Sequence, residues 1–271
     1  FHYFYIFQKY FHKSENNVLI FQKQNLLYLI HRKDQLNSYY KIYNINLFKL
    51  FKYNYIILFI MNILIELRIC CYPANSQESQ LPNRTEQYVN GLNKFFEYLP
   101  ILNGYNVNIF ITDNTIPKNS NLPNEILNII PSNVTVITCL NNNYGCYNKG
   151  AGDIEQWLYN KELISQYDWF IHFEPRQLLK SFNFIENFLK NPRNLFTINE
   201  NVKHFNTGLF CIQVGELIKY INNSNLDNMV SRRISIEDDL YRYFINNNIS
   251  FDILEKLDLI WFATNHVPLH Y

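Results

Sequence analysis

The chain has 271 residues, 48% of them hydrophobic and 17% charged, with a net charge of +1. That is enough apolar material for one large domain or two small ones, and the charge gives no reason to expect nucleic acid as a partner. Its five cysteines, Cys70, Cys71, Cys139, Cys146 and Cys211, are odd in number and include no CxxC pair. This argues against a disulfide framework and a structural zinc site, and for reduced thiols.

Charge is spread unevenly. Residues 1–60 carry eight Lys/Arg against Glu15 and Asp34, or +6, whereas residues 61–271 carry 16 basic and 21 acidic groups, or −5. The first 60 residues also lack Gly, Ala, Pro, Thr, Cys, Trp and Met and consist mostly of Phe, Tyr, Ile, Leu, Asn and Lys. The missing small residues have GC-rich codons and the abundant ones AT-rich codons. The segment reads as translated AT-rich sequence ahead of a start at Met61, with a basic, aromatic N-terminal extension as the rival reading. Either way the folded domain is expected at 61–271. The apolar run 55–65 is shorter than the roughly 20 residues a bilayer span needs. Asn62, Glu66 and Arg68 interrupt or bound it. Four N-x-S/T sequons, at Asn83, Asn133, Asn222 and Asn248, are read as chance in so Asn-rich a chain.

From Met61 the elements alternate. The Ile/Leu run 62–71, stopped by Tyr72-Pro73, predicts a strand. After a polar loop, a helix is expected over 86–99, with Tyr88, Leu92, Phe95, Phe96 and Leu99 at helical spacing. A strand over 107–112 follows, with Asp113 and Asn114 at its tip, then a short helix over 124–130 and a strand over 134–139. This β-α-β-α-β order implies a parallel sheet with right-handed crossovers.

The loop 141–153 holds three of the chain's seven glycines, Gly145, Gly150 and Gly152. It leads into a helix expected over 154–165, with Ile154, Trp157, Leu158, Leu163 and Ile164 as the buried stripe. A Gly-rich loop entering a helix offers backbone N–H groups to an anion, although this one is neither a P-loop nor GxGxxG. The next strand, Trp169–Phe173, is bulky and apolar and then turns abruptly into His172-Phe173-Glu174-Pro175-Arg176. Ligands of open α/β sheets bind at the carboxyl ends of strands, and Pro175 ends the ladder there. A helix over 183–189, a strand over 195–198, the stretch His204-Phe205-Asn206-Thr207-Gly208, a strand over 209–214 and a helix over 215–221 follow. A last helix opens at Ser235-Ile236-Glu237-Asp238-Asp239, whose three acidic groups suit the positive end of the dipole. Plain helix capping explains those groups equally well. A late strand is read at 249–254.

This order of features resembles the GT-A glycosyltransferases, in particular the large family-2-like group, over roughly residues 61–261. The resemblance implies an α/β, Rossmann-like, mostly parallel sheet flanked by helices in a single domain. It places Pro73, Asp113, Asn148, Lys149, Gly150 and Arg176 at the nucleotide, with Lys149 and Arg176 on phosphate oxygens. His172-Phe173-Glu174 stands at the place of the family's Asp-x-Asp. His172 and Glu174, with His266 or His270 as a third ligand, would then hold Mn²⁺ or Mg²⁺. The less anionic pair weakens the preference for Mg²⁺. Glu237-Asp238 looks like the family's Glu-Asp pair, one residue away from its usual spacing, with Asp238 as base and Glu237 or Asp239 as its substitute. Asn206 and Gly208 fall on the acceptor side. The implied activity is transfer of a sugar from a nucleotide-sugar donor to a hydroxyl of a glycan or lipid-linked acceptor, in glycan or polysaccharide synthesis. The implied setting is cytoplasmic, with peripheral membrane association. Two other classes stay open: a GT-A-shaped nucleotide or glycan binder without catalysis, because the metal motif is altered, and a Rossmann-like nucleotide enzyme. The absence of a Gly-rich turn after the first strand disfavours the latter.

Overall fold

The apolar runs downstream of Met61 assemble into one twisted layer. The computed structural model describes residues 61–72, 84–117, 120–139, 141–199, 203–262 and 268–270, which belong to one compact unit, Met61–Tyr271. The sequence begins with β1 (Asn62–Arg68), α1 (Arg84–Phe96), a 3₁₀ turn (Leu99–Leu102), β2 (Asn106–Asp113), α2 (Asn124–Leu127) and β3 (Val134–Thr138). Helices α3 (Lys149–Tyr159) and α4 (Lys161–Ile164) lead to β4 (Trp169–Phe173), β5 (Leu178–Leu179), α5 (Asn183–Lys190) and β6 (Leu195–Phe196). The second half holds β7 (Ile198–Asn199), β8 (His204–Phe205), β9 (Leu209–Gln213), α6 (Val214–Asn223), α7 (Leu226–Arg232) and α8 (Ile236–Asn246). The short strands β10 (Asp252–Ile253), β11 (Leu259–Phe262) and β12 (Pro268–His270) close it.

Seven strands form the main sheet in the order β10-β6-β9-β4-β1-β2-β3. Neighbours run parallel except β9, which is antiparallel to both β4 and β6. This is the mostly parallel, helix-flanked, GT-A-like architecture that the resemblance implied. Two smaller sheets, β12-β11-β5 and β7-β8, accompany it.

Strand alternation divides the core into two layers. Ile63, Ile65 and Leu67 of β1 and Ile171 and Phe173 of β4 pack with Tyr88, Leu92 and Phe95 of α1 and with Phe184 and Phe188 of α5. On the opposite face Leu64, Phe110, Phe170, Phe210 and Ile212 pack with Ile154 and Trp157 of α3, Leu217 of α6 and Leu240 and Phe244 of α8. Burial on both faces is why the strands read as unbroken apolar runs. Several boundaries differ from expectation. The helix expected from residue 154 begins at Lys149, because Asn148 caps it with its side chain, and it breaks at Asn160. Leu158 faces solvent rather than the core. Helix α7 and strands β5, β11 and β12 were not expected; the strands are too short to show a period of their own. Among the described residues no helix is long and apolar enough to cross a membrane.

Candidate functional site at the junction of β1 and β4

The chain runs outward from β1 to β2 and β3, then crosses back to lay β4 on the other side of β1. The carboxyl ends of β1 and β4 therefore flank a topological switch point, where open α/β sheets bind ligands. Register brings Glu66 opposite His172. Alternation puts Arg68 and Glu174 one step further along the same face, towards the mouth.

Below the mouth lies a buried polar network. Glu66, 2% exposed, accepts hydrogen bonds from Thr112 Oγ1 and Trp157 Nε1, each at 2.8 Å, and its Oε2 lies 2.8 Å from His172 Nδ1. Burial alone would raise the Glu66 pKa, but His172, Trp157 and Arg68 together hold it below the usual value. Arg68 donates to Asp153 Oδ1 at 2.9 Å, Asn114 Oδ1 at 2.7 Å and the Ile69 carbonyl at 2.6 Å. Burial works to lower the Arg68 pKa, yet Asp153 first among the surrounding anions drives it higher. For Asp153 itself burial outweighs Arg68, and its pKa is raised.

At the mouth Lys149, the first residue of α3, makes an ion pair with Glu174 Oε1. Arg176 lies close enough to act on both charges. Burial pushes the Glu174 carboxyl up, but Lys149 and then Arg176 pull it down to about 2. Burial lowers the Lys149 pKa, and Glu174 and Asp153 more than reverse this. Arg176 is 7% exposed and makes no hydrogen bond to any described residue. Its turn is fixed from behind by Gly91 of α1. A Cβ there would stand 1.6 Å from the Pro175 carbonyl oxygen, so only glycine lets the helix sit this close.

The other expected residues divide clearly. Gly150 meets the start of α8: a Cβ on it would lie 2.7 Å from Ile236 Cβ. Glu237 then receives a hydrogen bond from Thr207 Oγ1 at 3.1 Å. The next residue, Gly208, accepts one from the Glu174 N–H at 2.9 Å. Gly208 itself lies against the end of the Gln177 side chain, which a Cβ there would push aside. Glu237, Gly208 and Glu174 are thus linked at one mouth. Asp238 instead accepts from Arg242 Nε at 2.8 Å along the surface of α8, and Asp239 accepts from Tyr220 Oη at 2.9 Å. The backbone of Asn206 donates to the Thr197 carbonyl at 2.8 Å beside this mouth. Pro73 and His266 lie outside the described residues.

Two residues expected at the nucleotide are engaged internally. Asp113, 1% exposed, accepts from Cys71 N–H through Oδ2, and from Thr115 N–H and Oγ1 through Oδ1. Asn148 accepts from Ala151 N–H and donates to the Met229 and Ile234 carbonyls, so it caps α3 and ties it to the segment around α7. Gly152 backs onto Gly145, where a Cβ would lie 2.5 Å from Gly145 Cα. Close packing therefore accounts for these two glycines. Sequence reasoning missed Glu66, Arg68 and Asp153; the available signal was two charges inside an apolar strand.

The described residues do not form the expected cation site. His172 is turned towards Glu66, and Glu174 is neutralised by one ammonium with a guanidinium beside it. Among the described residues no three His, Cys, Asp or Glu side chains converge on one point. Hard divalent cations take oxygen ligands, and Glu174, the carboxylate expected to supply one, is paired with Lys149.

No protein-family model and no curated protein matches the chain. Solved structures of similar shape include a Desulfovibrio desulfuricans protein provisionally described as a nucleotide-diphospho-sugar transferase. It is 9% identical over 72% of this chain and 80% of that one, with a TM-score of 0.46. Mouse xyloside xylosyltransferase 1 is 10% identical over 72% and 84%, at 0.40. A cytidylyltransferase from Leptospira borgpetersenii is 11% identical over 73% and 77%, at 0.39.

Proposed function

We propose that the chain is a glycosyltransferase that moves a sugar from a nucleotide-sugar donor to a hydroxyl of a glycan or lipid-linked acceptor, working in the cytoplasm with peripheral contact to membrane. The observation that carries this reading is the placement of Lys149 and Arg176 around Glu174 at the carboxyl ends of the sheet's switch point. That crevice is where an open α/β sheet takes a nucleotide, and two cations there suit its diphosphate. Bond breaking at the sugar leaves negative charge on the diphosphate, which preorganised cations stabilise without reorganising.

The acceptor hydroxyl must lose a proton as it attacks. Glu237, hydrogen-bonded to Thr207 beside Gly208, takes that part ahead of Asp238, whose carboxylate is engaged by Arg242. Asn206 and Gly208 border the acceptor. The test is release of nucleoside diphosphate from a panel of UDP-, GDP-, CDP- and ADP-sugars, alongside binding of the free nucleotides. Release that requires an added glycan acceptor supports the reading. Binding without release supports a non-catalytic binder instead, and neither binding nor release refutes the site.

A further inference from the structure

We propose that Lys149 and Arg176 hold the donor diphosphate in place of a divalent cation, and that Glu174 is their counter-ion rather than a metal ligand. The inference rests on the reading of this mouth as a nucleotide-sugar site.

Three observations converge on it. First, Glu174 stands at the carboxyl end of β4, and the Lys149 ammonium already pairs with its Oε1. A metal ion there would have to displace an ammonium fixed at the first turn of α3. Second, the remaining carboxylates beneath the mouth are matched. Asp153 holds Arg68, and Glu66 holds Trp157, Thr112 and the imidazole of His172. Third, Arg176 is more than nine-tenths buried, yet it makes no hydrogen bond to any described residue. None of its nitrogens is both sealed from solvent and unpartnered, so the fork of donors stays open to solvent, where it suits two phosphate oxygens. Lys149 and Arg176 give the mouth two cations that can pair with the oxygens of a diphosphate.

Why two cations should stand together at this mouth also follows. Alone they would repel; Glu174 between them relieves the repulsion until an anion arrives. Gly91 holds the turn that carries Arg176, and Gly150 lets the start of α3 carry Lys149 up against α8. Both charges are therefore set by rigid elements, as a preorganised anion site requires.

The test is calorimetric titration of the full chain with UDP, GDP, CDP and ADP, once in EDTA and once in excess MnCl₂. The expected result is binding of at least one nucleotide with an affinity that agrees within about threefold between the two conditions. Lys149→Met should weaken it about 10- to 100-fold, the range for losing a hydrogen bond to a charged group. Because that variant leaves Glu174 unpaired, Lys149→Met/Glu174→Gln serves as the folded control and should show the same loss. Glu174→Gln alone should keep its binding in EDTA, since it removes the counter-ion and not the cations. Binding that appears only with MnCl₂, or that Glu174→Gln abolishes, overturns the inference and leaves the nucleotide site standing. Binding of none of the four nucleotides in either condition overturns the site reading and the inference with it.

Discussion

Arg68→Met removes the centre of the buried network while keeping its volume. The guanidinium makes three hydrogen bonds, to Asp153, Asn114 and Ile69. The Asp153 side chain is 6% exposed, so water cannot take over its solvation. Breaking a buried pair by deleting one partner costs about 3–5 kcal/mol, mostly from the stranded charge. Arg68→Met/Asp153→Leu removes both charges and should recover much of this, leaving about 1–3 kcal/mol for the unsatisfied Asn114 carbonyl. Urea unfolding of the parent, both single variants and the double variant closes the cycle, with equal m-values confirming a common unfolded state. Asp153 already has a folded pKa above its ordinary 3.8 because burial outweighs Arg68, and the variant pushes it higher. A carboxyl of that kind destabilises the fold above its folded pKa and is relieved as pH falls through it. The deficit of Arg68→Met should therefore shrink as pH falls from neutral towards about 4. A loss under about 1 kcal/mol at neutral pH, or one that grows on acidification, would show that Asp153 does not depend on Arg68.

Glu174 carries the opposite sign. Its folded pKa of about 2 lies below the ordinary 4.5, so its contribution is present above pH 4.5 and fades as pH falls towards 2. The size is on the order of 1–3 kcal/mol, held down because the Lys149 side chain is 44% exposed and screened by solvent. The stability gap between parent and Glu174→Gln, measured by denaturant unfolding across that range, should close at the acid end. Glu237→Gln should lower turnover about 10²–10⁴-fold with donor affinity unchanged, whereas Asp238→Asn should cost at most the helix-dipole contribution of about 0.3–1 kcal/mol; equal turnover losses would reject the assignment of Glu237. Gly91→Ala gains helix propensity, but its Cβ would meet the Pro175 carbonyl. It should destabilise by about 1–3 kcal/mol and weaken nucleotide binding together, as thermal melts with and without UDP would show. A chain beginning at Met61 should unfold cooperatively at the same midpoint as the full chain; a large loss of stability would place residues 1–60 in the core.

The sheet could be read from sequence because burial on both faces writes strands as apolar runs, and each run had turn residues at its ends. Lys149, Glu174 and Arg176 were visible for a related reason: they interrupt hydrophobicity at a helix start and a strand end, where polar groups have little structural purpose. Glu66 and Arg68 were hidden by the same logic. Inside a strand they look like breaks in a membrane run; cross-strand register gives Glu66 its partner His172, and the packing of α3 gives Arg68 its partner Asp153. Asp113 and Asn148 pose the opposite difficulty, since both hydrogen-bond within the fold. Short polar side chains hydrogen-bond nearby backbone as readily as a ligand, and sequence does not distinguish the two uses. Glu237 and Asp238 differ by one residue, about 100° around a helix. Of the two, Glu237 takes a hydrogen bond from Thr207 and Asp238 pairs with Arg242.

The join between β1 and β4 also has a kinetic meaning. Glu66 and His172 are 106 residues apart, whereas Asn62 and Asn106, across β1 and β2, are 44 apart. Closing the longer loop costs only about 0.8 kcal/mol more in chain entropy. The order of events is a larger matter: during synthesis β1 can pair with β2 and β3 long before β4 exists. Until β4 arrives, Leu64 and Glu66 lie along an unpaired edge, and the carboxylate lacks its imidazole partner. The carboxylate therefore gives up its water only when the strand that carries the mouth of the site is laid beside it and brings His172.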